Sequence, residues 1–333
     1  MEDLKGRHLL SLQQYNKKEL MQILETAAAL QAIMARGVPF KPLQGKTLGM
    51  IFNKNSTRTR VSFEVAIYQL GGHGLHLGGQ ELQLARGESI ADTARVLSRY
   101  LDAIMIRTYS HAEVEELAAN ATVPVINGLT DRFHPCQALA DFYTLYKKKG
   151  RLAGLKLAFV GDGNNNVTHS LLLGAAKLGV DIHVAAPAGY APEAEVLALA
   201  RQEAKLSGSS VLLTTDPVEA VAGADAVYTD VWTSMGKEDE AQERCRILAP
   251  YQVNSSLMAA AKPDALFLHC LPANRGEEVT DEVMDGPNSA VFDQAENRLH
   301  VQKAVLALLV RGGELVEEMA NLLGDRKQPR VAG

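Results

Sequence analysis

An α/β protein of two domains, each a parallel sheet flanked by helices, is what the order of apolar and amphipathic stretches predicts. Three observations carry that expectation. Short apolar runs alternate with helix-period patterns in both halves of the chain, which implies parallel strands covered on both faces. A length of 333 residues suits two domains of about 100–200 residues each. Composition changes most clearly at Lys147-Lys148-Lys149-Gly150. The expected division is therefore 1–148 and 149–310, with a C-terminal helix over about 311–333 returning to the first domain. The active site is expected in the cleft between the two.

In the first half, Asn16-Lys17-Lys18-Glu19 reads as a capping box, followed by Leu20, Ile23, Leu24, Ala27 and Met34 at helical spacing. The apolar run Thr47 to Phe52 reads as a buried strand. A helical pattern from Val61 to Leu70 stops at Gly71-Gly72, which places Ser56 at an N-cap position. Gly78 to Gly87 is a glycine-bounded loop, and Ser89-Ile90-Ala91-Asp92 caps the next helix. Ala103 to Ile106 reads as a strand ending on Arg107. A helix around Glu113 to Asn120 leads to another apolar run, Val123 to Ile126. His134-Pro135-Cys136-Gln137 opens a helix, with proline suited to its first turn.

The second half repeats the alternation. Lys156 to Val160 is a strand, followed by Gly161-Asp162-Gly163-Asn164-Asn165-Asn166 and a helix ending at Gly179. Strands are expected at Asp181 to Ala185, Val211 to Leu213, Ala226 to Thr229 and Ala265 to His269, with a short last one near Ala290 to Phe292. Helices are expected at about 192–206, 294–309 and 314–323, and the polar tail 325–333 is expected to fray.

The whole-chain properties exclude several classes. A net charge of −5 offers nothing to nucleic acid or an anionic membrane. The first residues are charged and no long apolar core follows them, so neither a signal peptide nor a membrane span is expected. Cys136, Cys245 and Cys270 are odd in number and widely spaced, which argues against a disulfide framework or a structural zinc site and for a reducing cytoplasm.

Ligands of open parallel sheets bind beyond the carboxyl ends of the strands, and the chemically suggestive residues collect at such ends. Ser56-Thr57-Arg58-Thr59-Arg60 follows a strand and opens a helix. A helix N-terminus, hydroxyl donors and guanidinium forks together suit a phosphate, whereas a capped helix with two solvated arginines is the plainer reading. Arg107 ends a second strand and His134 follows a third. Asn166, Asp230 and Cys270 occupy equivalent places in the other half. Gly161-Asp162-Gly163 looks like the start of a dinucleotide fingerprint, but the third glycine falls at Asn166 and no acid ends the next strand. Asparagines at a helix start instead suit a small carboxylate.

Ser56-Thr57-Arg58-Thr59-Arg60 resembles the carbamoyl-phosphate signature of the aspartate/ornithine carbamoyltransferase family. Asp230-Val231-Trp232-Thr233-Ser234-Met235-Gly236 resembles the signature on that family's ornithine side, and His269-Cys270-Leu271-Pro272 its third motif. The motifs run in the family's order from Leu48 to about Leu309. The resemblance implies that Ser56, Thr57, Arg58, Thr59, Arg60 and Gln83 hold phosphate. Gln83 lies where the family varies between Gln and His, in a loop that crosses to a neighbouring subunit of a trimer. Arg107, His134 and Arg298 are implied at the carbonyl oxygen of carbamoyl phosphate, and Gln137 with the Cys270 and Leu271 carbonyls at its amino group. Asn165 or Asn166 is implied at the ornithine carboxylate, in a register the third asparagine leaves open. Asp230 and Ser234 are implied at the ammonium, and the Met235 N–H at the carboxylate. Cys270 lies against the reacting amine without acting as a covalent nucleophile, and Cys136 is read as packing.

The implied reaction is carbamoyl phosphate plus L-ornithine giving L-citrulline and phosphate. Arg58, Arg107, His134, Cys270 and Arg298 carry the chemistry, with no metal or organic cofactor. The implied assembly is a homotrimer or a multiple of trimers. A carbamoyltransferase for putrescine or an acylated ornithine is the rival within the class, and a silent binding protein on the same scaffold is the rival outside it.

Overall fold

The computed structural model describes residues 2–233 and 238–324. It divides into two compact units, one running to Asp131 and resuming at Arg298, the other spanning Arg132–Asn297. The expected tail 325–333, and Ser234, Met235 and Gly236, lie outside the described residues.

Unit 1 opens with α1 (Lys17–Ala35), β1 (Thr47–Phe52), α2 (Thr57–Gln69), β2 (His73–Gly78), α3 (Ile90–Leu97), β3 (Ala103–Arg107), α4 (His111–Asn120) and β4 (Val125–Leu129). The capping box at α1 forms in both directions. Asn16 Oδ1 accepts from the Glu19 N–H at 3.0 Å, and Glu19 Oε2 accepts from the Asn16 N–H at 2.7 Å, which satisfies donors a helix start leaves open. The sheet order is β2-β1-β3-β4, all parallel. Ile51, Ile104, Ile106, Val114, Leu117 and Val125 form one buried cluster, each aliphatic side chain worth about 1.5–3 kcal/mol removed from water.

Unit 2 continues with α5 (Pro135–Lys149), β5 (Lys156–Val160), α6 (Asn166–Leu178), β6 (Asp181–Ala185), α7 (Ala194–Ser207), β7 (Val211–Thr214), α8 (Pro217–Val221), β8 (Ala226–Thr229), α9 (Ala241–Leu248), α10 (Ser255–Met258), β9 (Leu266–His269) and α11 (Asp281–Met284). Its sheet order is β7-β6-β5-β8-β9, again all parallel. Pro135 opens α5, and Gly150 ends it at φ 72°, a left-handed cap that a side chain would strain. Helix α12 (Val291–Arg311) contributes its residues to Asn297 here and the rest to unit 1. Unit 1 closes with α13 (Glu314–Gly324), whose Leu323 carbonyl accepts from Arg36 at the end of α1 at 3.4 Å.

One expectation is corrected, and one strand escaped the sequence reading. The strand expected near Ala290 to Phe292 is the first turn of α12. Only Ser289 bridges to Phe267, and the Gln294 N–H already donates to the Ala290 carbonyl at 2.8 Å. An apolar run of three residues suits a helix face as well as a strand. Conversely, β2 carries little apolar signal because it is an edge strand with His73 and His76 exposed. The sheet pairs it with β1 all the same. Short helices α8 to α11 also lack the length for a readable period.

Candidate functional site

In each sheet one central strand marks where the winding reverses. In unit 1, β1 runs out to β2, and the chain then returns to β3 on the other side. In unit 2, β5 leads outward to β6 and β7, then back to β8 and β9. Loops at such a reversal diverge and leave a crevice at the strand ends. Phe52 pairs with Arg107 in register, so the turn after β1 and the end of β3 meet at the first crevice.

There the Asn53 N–H donates to the Arg107 carbonyl at 2.9 Å, and the chain turns into α2. Ser56 caps that helix, its Oγ accepting from the Thr59 N–H at 3.2 Å. Thr59 is fully buried, and its hydroxyl is the hub of the group. Arg298 Nη2 donates to Thr59 Oγ1 at 2.8 Å and Arg107 Nη1 at 3.4 Å. Both arginines are buried. A neutral hydroxyl thus aligns two guanidinium forks beside a helix N-terminus, an arrangement suited to an oxyanion. Arg58 is half-buried in the same first turn.

The remaining unit 1 candidates stand apart. Thr57 and Arg60 are exposed, and Arg60 pairs with Glu64 one turn on at 3.2 Å. Gln83 is exposed at the start of a 3-10 turn, Gln83–Arg86, in a loop tied to the unit 1 core through Leu82.

In unit 2 the turn after β5 is shaped by its own residues. Gly163 has no room for a side chain, since a Cβ there would lie 2.8 Å from the Tyr190 carbonyl; the glycine serves this close approach, and no dinucleotide is needed to explain it. Asn165 spends both ends of its amide locally. Its Oδ1 accepts from the Thr168 N–H at 2.8 Å, and its Nδ2 donates to the Asp162 carbonyl at 2.7 Å. Asn166 is the first residue of α6 and is half-buried. His134 sits buried at the start of α5, its N–H donating to Ser170 Oγ at 2.8 Å.

After β8 and β9, Asp230 and Cys270 meet: the thiol donates to Asp230 Oδ1 at 3.0 Å, and the Val231 N–H to the same oxygen at 2.8 Å. Burial pushes the Asp230 carboxyl above the usual range, partly opposed by His269 and these two donors. Leu271 lies in the left-handed region at φ 59°, uncommon for a branched residue. Its N–H donates to His269 Nδ1 at 2.9 Å, and His269 Nε2 lies 3.3 Å from Glu278 Oε1. Ligand-type atoms of Asp230, His269 and Cys270 fall within 4.8 Å of one another, a spacing a metal could use. Each is committed to a hydrogen bond, so the group reads as a hydrogen-bonded cluster.

Three residues escaped the sequence reading. Arg244 on α9 is buried against Asp162, donates through Nε to the Trp232 carbonyl at 2.6 Å and stacks on Tyr190 at 4.9 Å. It thereby joins the turn after β5 to the segment after β8. Asp141 and Gln294, both fully buried, form a polar network with Gln137 and Tyr228. Burial and the Asp141 charge hold the Tyr228 phenol well above its ordinary range. The four-residue spacing of Gln137 and Asp141 on one helix was the only signal available; Arg244 and Gln294 have none in sequence.

Residues 7–147 match the model of the aspartate/ornithine carbamoyltransferase carbamoyl-P binding domain, and residues 153–309 that of the Asp/Orn binding domain. The chain is 61% identical to an ornithine carbamoyltransferase of Pyrococcus abyssi over 309 residues, covering 93% of this chain and 97% of that one. It is 61% identical to an anabolic ornithine carbamoyltransferase of Pyrococcus furiosus, covering 93% and 98%. The solved structure of ornithine carbamoyltransferase from Pyrococcus furiosus superposes with a TM-score of 0.91 at 60% identity, covering 93% of this chain and 99% of that one. With both family models matched in order across most of its length, the chain belongs to the aspartate/ornithine carbamoyltransferase family.

Proposed function

We propose that the protein transfers the carbamoyl group of carbamoyl phosphate to the δ-amino group of L-ornithine, giving L-citrulline and phosphate. The observation that carries the reading at the site is the meeting of Arg107 and Arg298 on the buried Thr59 hydroxyl at the start of α2. Identity of about 60% to ornithine carbamoyltransferases over nine-tenths of both chains supports ornithine as the acceptor. The anabolic designation of the Pyrococcus furiosus relative supports the biosynthetic direction.

The neutral δ-amine attacks the carbonyl carbon, the new C–N bond forms, the C–O bond to phosphate breaks, and the amine gives up a proton. Negative charge grows on the carbonyl oxygen and on the departing phosphate. Arg58, Arg107, His134 and Arg298 are assigned to that charge, each such donor worth about 10²–10³ in rate. Ser56, Thr57 and Thr59 are assigned to phosphate, as are Arg60 and Gln83 by resemblance. Gln137 and the Cys270 and Leu271 carbonyls are assigned to the carbamoyl NH2. For ornithine, the commitment of Asn165 to its cap favours Asn166 as the carboxylate donor. Asp230 and, by resemblance, Ser234 are assigned to the ammonium and the Met235 N–H to the carboxylate, and Cys270 lies against the reacting amine. No metal or organic cofactor enters the scheme.

The functional division is 1–148 for carbamoyl phosphate and 149–310 for ornithine, in a cytoplasmic homotrimer whose Gln83 serves a neighbouring subunit. Among the described residues no helix is long and apolar enough to cross a membrane. The test is citrulline formation from both substrates, run against putrescine and aspartate as acceptors. Ornithine should be strongly preferred; a faster rate with putrescine would overturn the assignment.

A further inference from the structure

We infer that Asp141 is a positioning residue that makes the protein select a carbamoyl over an acetyl donor, by fixing which end of the Gln137 amide faces the acyl group. The inference rests on the carbamoyl-transfer reading above. It adds a residue and a selectivity that the reading does not contain.

Asp141 lies on α5 one turn after Gln137 and is fully buried. An ionised carboxylate can only accept hydrogen bonds. Its Oδ1 takes the Gln137 Nε2 donor at 2.8 Å and the Gln294 Nε2 donor at 2.6 Å. Gln294 is itself locked, because its Oε1 accepts from the His269 N–H at 3.0 Å. The opposite orientation of the Gln137 amide would set its oxygen against the carboxylate. Asp141 therefore holds Nε2 inward and turns Oε1 away. That oxygen is buried and accepts no hydrogen bond from the described residues.

A buried amide oxygen awaiting a donor distinguishes two acyl phosphates of nearly the same shape. Carbamoyl phosphate brings an NH2 that fills the position. Acetyl phosphate brings a methyl group and leaves the oxygen desolvated, a mismatch that buried polar sites reject strongly. A flipped amide would present its own NH2 and lose this discrimination. The sequence cannot reveal it, since a glutamine offers both ends.

The test compares the inhibition constant of acetyl phosphate with the KM of carbamoyl phosphate in citrulline formation. Inorganic phosphate as inhibitor reports on the anion site alone. In the unaltered protein the first ratio should be about 10–100. Asp141→Asn can donate to Gln137 Oε1 and so release the amide. It should lower the ratio about tenfold while the phosphate inhibition constant stays within about twofold. An unchanged ratio, or a phosphate constant that worsens in parallel, would overturn the proposal. If Asp141→Asn gives no cooperative melt, Gln137→Met removes the oxygen at similar length and must lower the ratio by as much; a retained ratio also overturns it. A ratio lost in Gln137→Met but kept in Asp141→Asn refutes the role of Asp141 and leaves Gln137 as a carbamoyl contact. Absence of citrulline from the unaltered protein refutes the underlying reading instead.

Discussion

The two units place opposite chemistry at equivalent positions of similar sheets. In unit 1 the reversal between β1 and β3 gathers donors, two buried guanidinium groups held on the Thr59 hydroxyl and a helix N-terminus. In unit 2 the strand ends after β8 and β9 gather acceptors, the Asp230 carboxylate and Glu278 beside His269, and Asp141 on α5 adds a further carboxylate. The first arrangement suits a phosphate and the growing charge on a carbonyl oxygen. The second suits ammonium and amide protons. Fold alone is indifferent to this polarity; the residues at the strand ends decide it.

The comparison breaks most severely at the donor side. Arg58→Ala should cut turnover by about two to four decades with the fold intact, read by citrulline formation beside a melting curve. A folded variant with near-normal turnover would remove phosphate from the first turn of α2. The same variant supports a mixing experiment with Gln83→Ala. On the proposed trimeric assembly each is weak alone, since every site of either variant carries a lesion. Co-expressed, a Gln83→Ala subunit receives an intact Gln83 from an Arg58→Ala neighbour, and activity should partly recover. If Gln83 serves its own subunit, only the average of the two weak activities is expected.

The acceptor side is sharpened by pH. The δ-amine resembles lysine, with an ordinary pKa of about 10.4, and must be neutral to attack. Hence kcat/KM for ornithine should rise about tenfold per pH unit from neutrality upward. On the proposed assignment, Asp230 must be ionised to hold the ammonium. Burial raises its pKa, so ornithine binding should weaken further as pH falls toward that raised value. A flat profile would contradict both assignments.

Arg244→Lys keeps a positive charge beside Asp162 but loses the fork that also holds the Trp232 carbonyl. One lost charge-assisted hydrogen bond of about 1.5 kcal/mol corresponds to about a tenfold rise in ornithine KM. Carbamoyl phosphate KM should change little. Equal rises in both would reduce Arg244 to a general stabiliser.

The smallest effect concerns stability. His169 Nδ1 donates to the Arg132 carbonyl at 3.1 Å, and its Nε2 accepts from the Glu193 N–H at 3.2 Å, which requires the neutral ring. Burial lowers its pKa below the ordinary 6.5. The unfolded chain therefore binds the proton first, and this contribution is present above pH 6.5 and lost as pH falls through the folded value. Melting temperature should drop a few degrees more between pH 7 and pH 5 than in His169→Gln. Parallel curves would rule out this origin.

Much of the fold was legible because periodicity and caps are local. Asn16-Glu19, Ser56 and Pro135 announce helix starts, and the buried runs at β1, β3 and β5 announce strands. β2 was not legible, since an edge strand needs little apolar surface. The run at Ala290 to Phe292 misled because three residues carry no period.

By itself the sequence determined the alternation of strands and helices, the caps that start helices beside strand ends, and the set of hydroxyl, guanidinium and carboxylate groups placed there. These follow from spacing along the chain. Only the tertiary structure decided that Thr59 joins Arg107 to Arg298, 239 residues beyond it. It also spent Asn165 on a helix cap, paired Arg60 with Glu64, and turned Gln137 by way of Asp141. Burial and hydrogen-bond direction arise from neighbours distant in sequence, and a buried polar group takes the orientation its partners impose.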